Sequence, residues 1–274
     1  NGKRLILACS GGVDSVVLAH LATKAGLDIT LAHCNFQLRG KESDEDKVFV
    51  GNLAKQLKTS FLVESFNTDQ YAQKHKVSIQ MAARELRYNW LDDILKTEGF
   101  DYVLTAHHAD DSLETFMINL SRGTGIEGLS GIPEQNGKVI RPLLNFSRTD
   151  ILNYAKNENI KWREDSSNVE NKYLRNKIRL EIVPKLKELH PAFLDNFQKT
   201  QNHLCQTDAL LKNHIGELKA LLFHKTDNHY RINLNELLKL QPVEAYLYRF
   251  FHEFGFTEWD NVKALLTGNS GKVV

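Results

Sequence analysis

The sequence predicts an α/β fold in which a doubly wound parallel sheet is followed by a second, smaller helical domain. Short apolar runs alternate with helical patterns over residues 1–150, and helical patterns prevail from Pro191 onward. Strands that alternate with helices build parallel sheets, because each crossover returns the chain to the same edge. A chain of 274 residues is long enough for about two domains. We therefore predict one domain over residues 1–190 and another over residues 191–274.

Each predicted strand is a short apolar run bounded by turn or helix signals. The strands cover Leu5–Cys9, Ile29–His33, Phe61–Val63, Tyr102–Ala106 and Val139–Arg141. The helices between them carry apolar residues at three- and four-residue spacing, which gives each one face toward a core. They cover Ser15–Ala25, Glu42–Lys58, a long helix capped by Ser78, residues 110–121 and a helix that begins after Ser147. The second domain is predicted from helical patterns that follow Pro191 and that cover Leu234–Leu240 and Glu244–Phe254.

Composition is that of an ordinary globular protein. Apolar residues make up 42% and charged residues 25%, and the formal net charge is only +1. A surface that binds nucleic acid must therefore come from local clustering of basic residues. Cys9, Cys34 and Cys205 form no C-x-x-C pair, which argues against zinc ribbons and iron–sulfur clusters. The sparse thiols, with no signal peptide and no run of 18 apolar residues, lead us to expect a cytoplasmic protein without a membrane span.

A glycine-rich loop joins the first predicted strand to the first helix. Gly11 and Gly12 let backbone N–H groups approach an anion with no Cβ in the way, and the helix N-terminus adds donors and partial positive charge. Asp14 is itself anionic, so it is better suited to holding a magnesium ion that bridges to phosphate. The sequence therefore predicts a nucleotide phosphate site formed by Ser10, Gly11, Gly12, Val13, Asp14 and Ser15.

This loop resembles the SGGxDS signature of the PP-loop ATP pyrophosphatases, which cleave ATP between its α- and β-phosphates. The G-K-[ST] ending of a Walker A loop is absent. The resemblance implies that ATP is a substrate, with Mg²⁺ as the accompanying ion.

Further segments resemble the tRNA(Ile)-lysidine synthetases of that superfamily and occur in the same order. They are His33–Gly40, with Phe36 where many members have histidine; Ala82–Tyr88; Thr105–Thr115, with Ser112 in place of glutamine; Arg122-Gly123; Arg141–Leu144; Trp162–Asn168; and Arg175–Arg179. Arg84 and Arg87 share a helix face, where paired guanidinium groups suit phosphate or developing negative charge, although a solvated helix face would look the same. His33 fits a strand-end histidine with satisfied hydrogen bonds as well as it fits a functional residue.

The resemblance implies an ATP-dependent ligase. Such an enzyme adenylates the C2 position of the wobble cytidine of tRNA(Ile) with a CAU anticodon, then joins it to free L-lysine, releasing pyrophosphate and AMP. The implied catalytic residues are Asp14, Asp111, His107, Arg84 and Arg87. Of these, Asp14 and Asp111 are the implied ligands of Mg²⁺. The cluster that surrounds His107 and Asp111 can provide a metal contact and orient a reacting base.

The segment from Lys172 to His190 is locally basic. It holds six lysine or arginine residues against two glutamates. Such an excess favours contacts to RNA phosphates, so we assign RNA binding to Arg175, Lys177 and Arg179. A solvated linker helix would show a similar composition.

Two other functions stay open at this point. One is another PP-loop enzyme, such as a tRNA thiolase, and the other is a non-catalytic nucleotide-binding module. Family members commonly continue into a C-terminal module, and Ser270–Val274 looks like a turn and the start of a strand without partners. We therefore expect a further module that this sequence lacks. The sequence leaves the oligomeric state open, a homodimer included.

Overall fold

The structure, a computed structural model, describes residues 2–164, 174–227, 229–266 and 268. The chain divides into two compact units, Asn1–Gln201 and Asn202–Val274. The division falls within a long helix, α10 (Phe193–Leu222), which contributes residues to both units. The predicted boundary after residue 190 therefore precedes the structural one, and as a boundary between functional domains it stays a prediction.

The first unit is built on a six-stranded sheet with the strand order β3-β2-β1-β4-β6-β5. The strands are β1 (Arg4–Ala8), β2 (Asp28–Asn35), β3 (Ser60–Ser65), β4 (Tyr102–Leu104), β5 (Gln135–Asn136) and β6 (Val139–Ile140). All pairings are parallel except that of β5 with β6, which is antiparallel. The predicted parallel sheet is confirmed, with β5 as an additional edge strand.

Helices cover both faces of this sheet. They are α1 (Val13–Lys24), α2 (Lys41–Leu57), α3 (Thr68–His75), α4 (Ile79–Thr97), α5 (Ala109–Ser121), α6 (Ile126–Leu129), α7 (Arg148–Asn157), α8 (Leu174–Lys177) and α9 (Val183–Glu188), with a π-helical turn over Ile178–Ile182. Leu5 and Leu7 of β1 pack in a core with α1, α2 and α7. Ile6 points the other way and packs with α4 residues. This alternation along a strand is what a sheet buried on both faces requires.

Helix caps fix where two of these helices begin. The side chain of Ser78 accepts a hydrogen bond from the backbone N of Met81 at 3.2 Å, as predicted for the start of α4. Ser147 and Asp150 form the predicted capping box, with the Ser147 hydroxyl accepting from the Asp150 N–H at 3.0 Å and the Asp150 carboxylate accepting from the Ser147 N–H at 2.9 Å. Helix α3 lies in a segment that was not predicted to be helical.

The second unit has its own core and is not entirely helical. Leu237, Leu247 and Phe250 are almost fully buried in it. Its elements after α10 are β7 (Phe223–Lys225), β8 (Tyr230–Ile232), α11 (Leu234–Leu237), α12 (Val243–Phe251), a 3₁₀ turn (His252–Phe254) and α13 (Trp259–Leu266). The predicted helical domain is confirmed, with the antiparallel pair β7–β8 as an addition. Its strands have three residues each, which is too short to show a period in the sequence. None of the helices in the described ranges is both long and apolar enough to cross a membrane.

Candidate active site

The glycine-rich loop lies where predicted, between the carboxyl end of β1 and the first turn of α1. Gly11 has a φ of +93°, a conformation that residues with a Cβ rarely adopt, while Gly12 caps α1 with an ordinary φ of −72°. The Ser15 hydroxyl donates to the carbonyl oxygen of Gly12 at 3.0 Å and accepts from the N–H of Ser10 at 3.2 Å. These bonds close the loop on itself. Its curvature therefore comes from its own backbone and serine side chains.

A pocket of about 460 Å³ opens beside this loop at the carboxyl edge of the sheet. Parallel sheets bind ligands at this edge, where loops lead into helices. The residues that line the pocket include Ser10, Asp14, Ser15, Cys34, Phe36, Arg84, Arg87, Tyr88, Thr105, His107, Asp111, Arg175 and Arg179. The structure thus brings together all five predicted catalytic residues, although their roles stay predictions.

The side chain of His108 lies close to the carboxylates of both Asp14 and Asp111. The Nε2 atom of His108 is 3.8 Å from Oδ2 of Asp14 and 3.5 Å from Oδ2 of Asp111. His108 is almost completely buried, and it was not among the predicted site residues. The sequence signal was present in the adjacent histidines 107 and 108, but which of them faces the carboxylates depends on how the strand end turns into α5.

The two carboxylates differ in their surroundings. Burial raises the pKa of Asp14, and its Oδ1 atom is buried with no hydrogen-bond partner among the described residues. Burial also opposes ionisation of Asp111, yet His108 and Arg175 hold the pKa of Asp111 below its ordinary value. Oδ2 of Asp111 accepts from the backbone N–H of His108 at 3.1 Å. Asp14 therefore offers a free oxygen, whereas Asp111 is already engaged by neighbouring donors.

His107 lies on the pocket wall and is held by a neighbouring hydroxyl. Its Nδ1 atom is 3.0 Å from Oγ1 of Thr105. Burial lowers the pKa of His107 to about 4; nearby Asp111 opposes this shift and the charge of Arg141 adds to it. The imidazole is accordingly neutral at pH 7, where one ring nitrogen can accept a proton or a hydrogen bond.

Two arginines that were predicted to bind RNA also line this pocket. Nε of Arg175 donates to Glu114 at 2.7 Å, and its Nη2 donates to Asp111 at 3.1 Å. Nε of Arg179 donates to the other oxygen of Glu114 at 2.6 Å. Glu114 is 1% exposed, so a buried carboxylate is neutralised by two guanidinium groups four residues apart on one helical face. Lys177, between the two arginines in sequence, is exposed.

On α4, Arg84 and Arg87 flank an aromatic ring. The guanidinium carbons of Arg84 and Arg87 are 4.8 Å and 5.2 Å from the ring centre of Tyr88. Stacked cations and an aromatic face suit both phosphate and a nucleobase. The shared face predicted from the spacing is therefore oriented toward the pocket rather than toward solvent alone.

The remaining motif residues lie around the loop. His33 is buried, and its Nδ1 is 2.9 Å from the carbonyl oxygen of Cys9, which fits the histidine with satisfied hydrogen bonds. The backbone N–H of Arg163 donates to the carbonyl oxygen of Gly11 at 3.0 Å. The side chain of Arg163 donates from Nε to the buried Asp46 at 2.7 Å, and Arg39 binds the other oxygen of Asp46 at 2.6 Å. The sequence analysis did not single out Asp46. The motif residues 165–168 lie outside the described residues.

Two family models match the chain. A model described as a PP-loop domain matches residues 1–186, and one described as a TilS substrate binding domain matches residues 225–274. A curated tRNA(Ile)-lysidine synthase of Chlorobaculum tepidum is 37% identical over 223 residues, which cover 80% of this chain and 67% of that protein. The chain belongs to the tRNA(Ile)-lysidine synthase family.

Other curated relatives belong to the same family and show how much of their length this chain covers. The tRNA(Ile)-lysidine synthase of Bacteroides thetaiotaomicron is 40% identical over 271 residues, covering 98% of this chain and 63% of that protein. The chain spans about three fifths of the length of the first curated relatives that it matches. Among solved structures, the U34-tRNA thiolase NcsA of Methanococcus maripaludis superposes with a TM-score of 0.61 at 18% identity, covering 75% of this chain and 73% of the thiolase. That likeness shows the shared fold.

Proposed function

We propose that this chain is the catalytic part of an ATP-dependent ligase that converts the wobble cytidine of tRNA(Ile) with a CAU anticodon to lysidine. The observation that carries the proposal is the single pocket into which the loop of residues 10–15, the Asp14–His108–Asp111 group and arginines from two helices converge. Each of these parts has a task in adenylation followed by amine attack. Membership in the lysidine synthase family supports the choice of substrate.

ATP is the proposed first substrate, with its phosphates on the loop from Ser10 to Ser15. The N-terminus of α1 points its unpaired backbone donors at this position, and Gly12 leaves room for a phosphate oxygen to approach the backbone. Arg84 and Arg87 face the same pocket and would compensate charge on the departing pyrophosphate. Burial raises the pKa of Asp14, and the charge of Arg179 partly opposes that rise, so Arg179 also belongs to this electrostatic environment.

The residues at this edge fit a magnesium ion that arrives with ATP. The free Oδ1 atom of Asp14 is an oxygen ligand without a competing partner in the described part of the chain. Asp111 would contribute once Arg175 and Arg179 release its Oδ1 atom. No group of three or more histidine, cysteine or acidic side chains among the described residues could hold a metal by itself, which suits an ion that takes most of its ligands from phosphate and water. Bound there, Mg²⁺ would balance the charge of the phosphates.

The chemistry has two steps. The C2 oxygen of the cytosine attacks the α-phosphate of ATP and pyrophosphate leaves, which turns a poor leaving group into AMP. The ε-amine of free L-lysine then attacks C2, loses a proton, and AMP departs. We assign acceptance of that proton to His107, which lines the pocket and is neutral at pH 7. Tyr88 and Phe36 offer aromatic faces for a base taken out of its stack.

Transfer RNA needs contacts beyond this pocket, and two regions are proposed to supply them. Residues 225–274 match a model described as a TilS substrate binding domain, so the second unit is proposed to bind tRNA. In the basic segment the exposed Lys177 is the best placed of the three predicted residues to reach a phosphate. Arg175 and Arg179 are held by Glu114, so part of their hydrogen-bonding capacity is already used.

The test is lysine-dependent formation of AMP on bulk bacterial tRNA and on a tRNA(Ile) transcript with the CAU anticodon. We expect AMP to form with lysine and the CAU transcript, and the product to contain lysidine by mass spectrometry of the digested RNA. A transcript whose wobble base is uridine is the matched control and should yield none. Incorporation of sulfur instead of lysine would favour the thiolase alternative. Cys9 and Cys34 both line the pocket, but burial raises the pKa of each thiol, that of Cys34 to about 12, so neither is a ready thiolate and that alternative has little support.

A further inference from the structure

Arg141 is a buried cation with one neutral partner. Its residue is 9% exposed. Nη1 donates to the carbonyl oxygen of Pro133 at 2.7 Å, while Nε is buried and has no hydrogen-bond partner in the described part of the chain. No carboxylate among the described residues forms an ion pair with it. A guanidinium group stays charged at any physiological pH, and burying such a charge without a counter-ion is strongly unfavourable. The missing counter-ion points to an anionic ligand.

The sheet places Arg141 next to two residues that line the active-site pocket, Thr105 and His107. Leu104 of β4 pairs with Ile140 of β6, and the N–H of Thr105 donates to the carbonyl oxygen of Ile140 at 3.0 Å. Arg141 therefore stands beside Thr105, and side chains at neighbouring positions of parallel strands leave the sheet on the same face. Thr105 lines the pocket, and the charge of Arg141 acts on the adjacent His107. Arg141 is thus adjacent to the part of the wall that Thr105 and His107 form.

The position of Arg141 distinguishes its ligand from the phosphates of ATP. In the strand order, β6 is two strands away from β1, whose carboxyl end carries the phosphate loop. Neighbouring strands are about 4.8 Å apart, so the two sites are separated by roughly 10 Å along the edge. Free lysine has its reacting amine and its carboxylate at opposite ends of a four-carbon stem, which suits this separation. Arginine is also the side chain best adapted to hold a carboxylate through two parallel hydrogen bonds.

We infer that Arg141 binds the α-carboxylate of the amino acid that attacks the activated base. The residue thereby selects a free amino acid over a simple amine and directs the ε-amine toward the phosphate-loop side of the pocket. This inference rests on the proposed ligase function, and it assigns to that function a specificity residue for its second substrate.

The first measurement needs no variant. Cadaverine is lysine without its carboxylate, so the wild-type protein is expected to use it with a kcat/KM roughly 10- to 100-fold below that for L-lysine, the range that a hydrogen bond to a charged group contributes. Arg141→Gln should raise the KM for L-lysine by a similar factor and change kcat/KM for cadaverine much less. Arg141→Lys keeps the charge and should recover part of the preference. Equal use of lysine and cadaverine by the wild-type protein would overturn the inference.

A second measurement separates this site from a phosphate site. Pyrophosphate release with ATP and tRNA in the absence of lysine reports the first step alone, and Arg141→Gln should slow it by a far smaller factor than it raises the KM for L-lysine. If the variant instead raises the KM for ATP or tRNA with no effect on lysine, Arg141 contacts phosphate and the inference is wrong. Lys138→Gln removes the same charge from the exposed end of the same β5–β6 hairpin and should alter none of these values.

A third measurement tells failure of the inference from failure of the proposed function. Equilibrium dialysis of radiolabelled L-lysine against the wild-type protein and Arg141→Gln requires no turnover. If no lysidine forms on any tRNA, the function is wrong, yet tighter binding of lysine than of cadaverine that disappears in the variant would still support the carboxylate site. Equal binding of both amines by wild-type protein would contradict the site independently of the function.

Discussion

Two parts of the pocket wall, the loop of residues 10–15 and the helical segment of residues 174–179, obtain their geometry in different ways. The loop is shaped by the positive φ of Gly11 and by hydrogen bonds among its own residues. In the helical segment, Arg175 and Arg179 are oriented by Glu114, which is at least 61 positions away in the chain. The loop is therefore a site that a short sequence specifies, whereas the arginines form a site only when a distant carboxylate is in place.

The largest effect should come from removing the one carboxylate that the loop brings to the pocket. Asp14→Asn keeps the shape and removes the charge, so pyrophosphate release should fall by well over tenfold, since loss of a preorganised charge contact costs about 3 kcal/mol. Asp111→Asn should also be slower by well over tenfold. Asp28→Asn, at the amino end of β2, is the matched control and should have normal activity. Normal pyrophosphate release by Asp111→Asn would show that only the loop carboxylate contributes and would sharpen the contrast between the two regions.

The next effect tests whether the loop backbone itself receives the phosphates. Gly12 has an ordinary φ, and a Cβ there would meet the Ser10 hydroxyl at an unstrained 3.5 Å, so Gly12→Val should fold normally. Its side chain would nevertheless occupy the space through which a phosphate approaches, and ATP affinity should fall at least tenfold by calorimetric titration. Gly11→Val should in addition lose stability, because valine is strained at a φ of +93°. A folded Gly12→Val protein with unchanged ATP affinity would place the phosphates elsewhere.

The smallest effect is expected for tRNA binding by variants of the helical segment. It compares the exposed Lys177 with the paired Arg175 and Arg179. Lys177→Glu should weaken tRNA binding a few-fold and reduce the slope of log affinity against log salt concentration by about 1, with ATP affinity unchanged. Arg179→Glu places a third carboxylate beside Asp111 and Glu114, so it should impair ATP binding as well as tRNA binding. Filter binding at several salt concentrations gives the slope. If Arg175→Glu and Arg179→Glu change only the tRNA slope, these arginines serve RNA and their pairing with Glu114 is dispensable.

Local patterns were enough to predict the sheet and the loop. Short apolar runs predicted β1, β2, β3 and β4, and the capping residues Ser78 and Ser147 predicted where two helices begin. The partners of Arg175 and Arg179 could not be predicted, because a run of basic residues has the same composition whether it faces solvent or a buried glutamate. His108 was overlooked for a related reason, since two adjacent histidines point in different directions and only the turn into α5 decides between them. The β7–β8 pair was missed because its strands have three residues each.

The hydrogen bond from Arg163 to Gly11 bears on when the chain becomes able to bind nucleotide during synthesis. The phosphate loop leaves the ribosome well before the segment that supports it, because that segment follows α7, and Asp46 must hold Arg163 and Arg39 together. Arg163 can reach Gly11 only after the parallel strands that lie between them in sequence have paired. Such long-range pairing is slow compared with local helix formation. A nascent chain can thus contain the complete SGGVDS loop and its first helix and still lack the hydrogen bond from Arg163 to Gly11. We therefore expect the chain to bind nucleotide only when folding of the first unit is nearly complete.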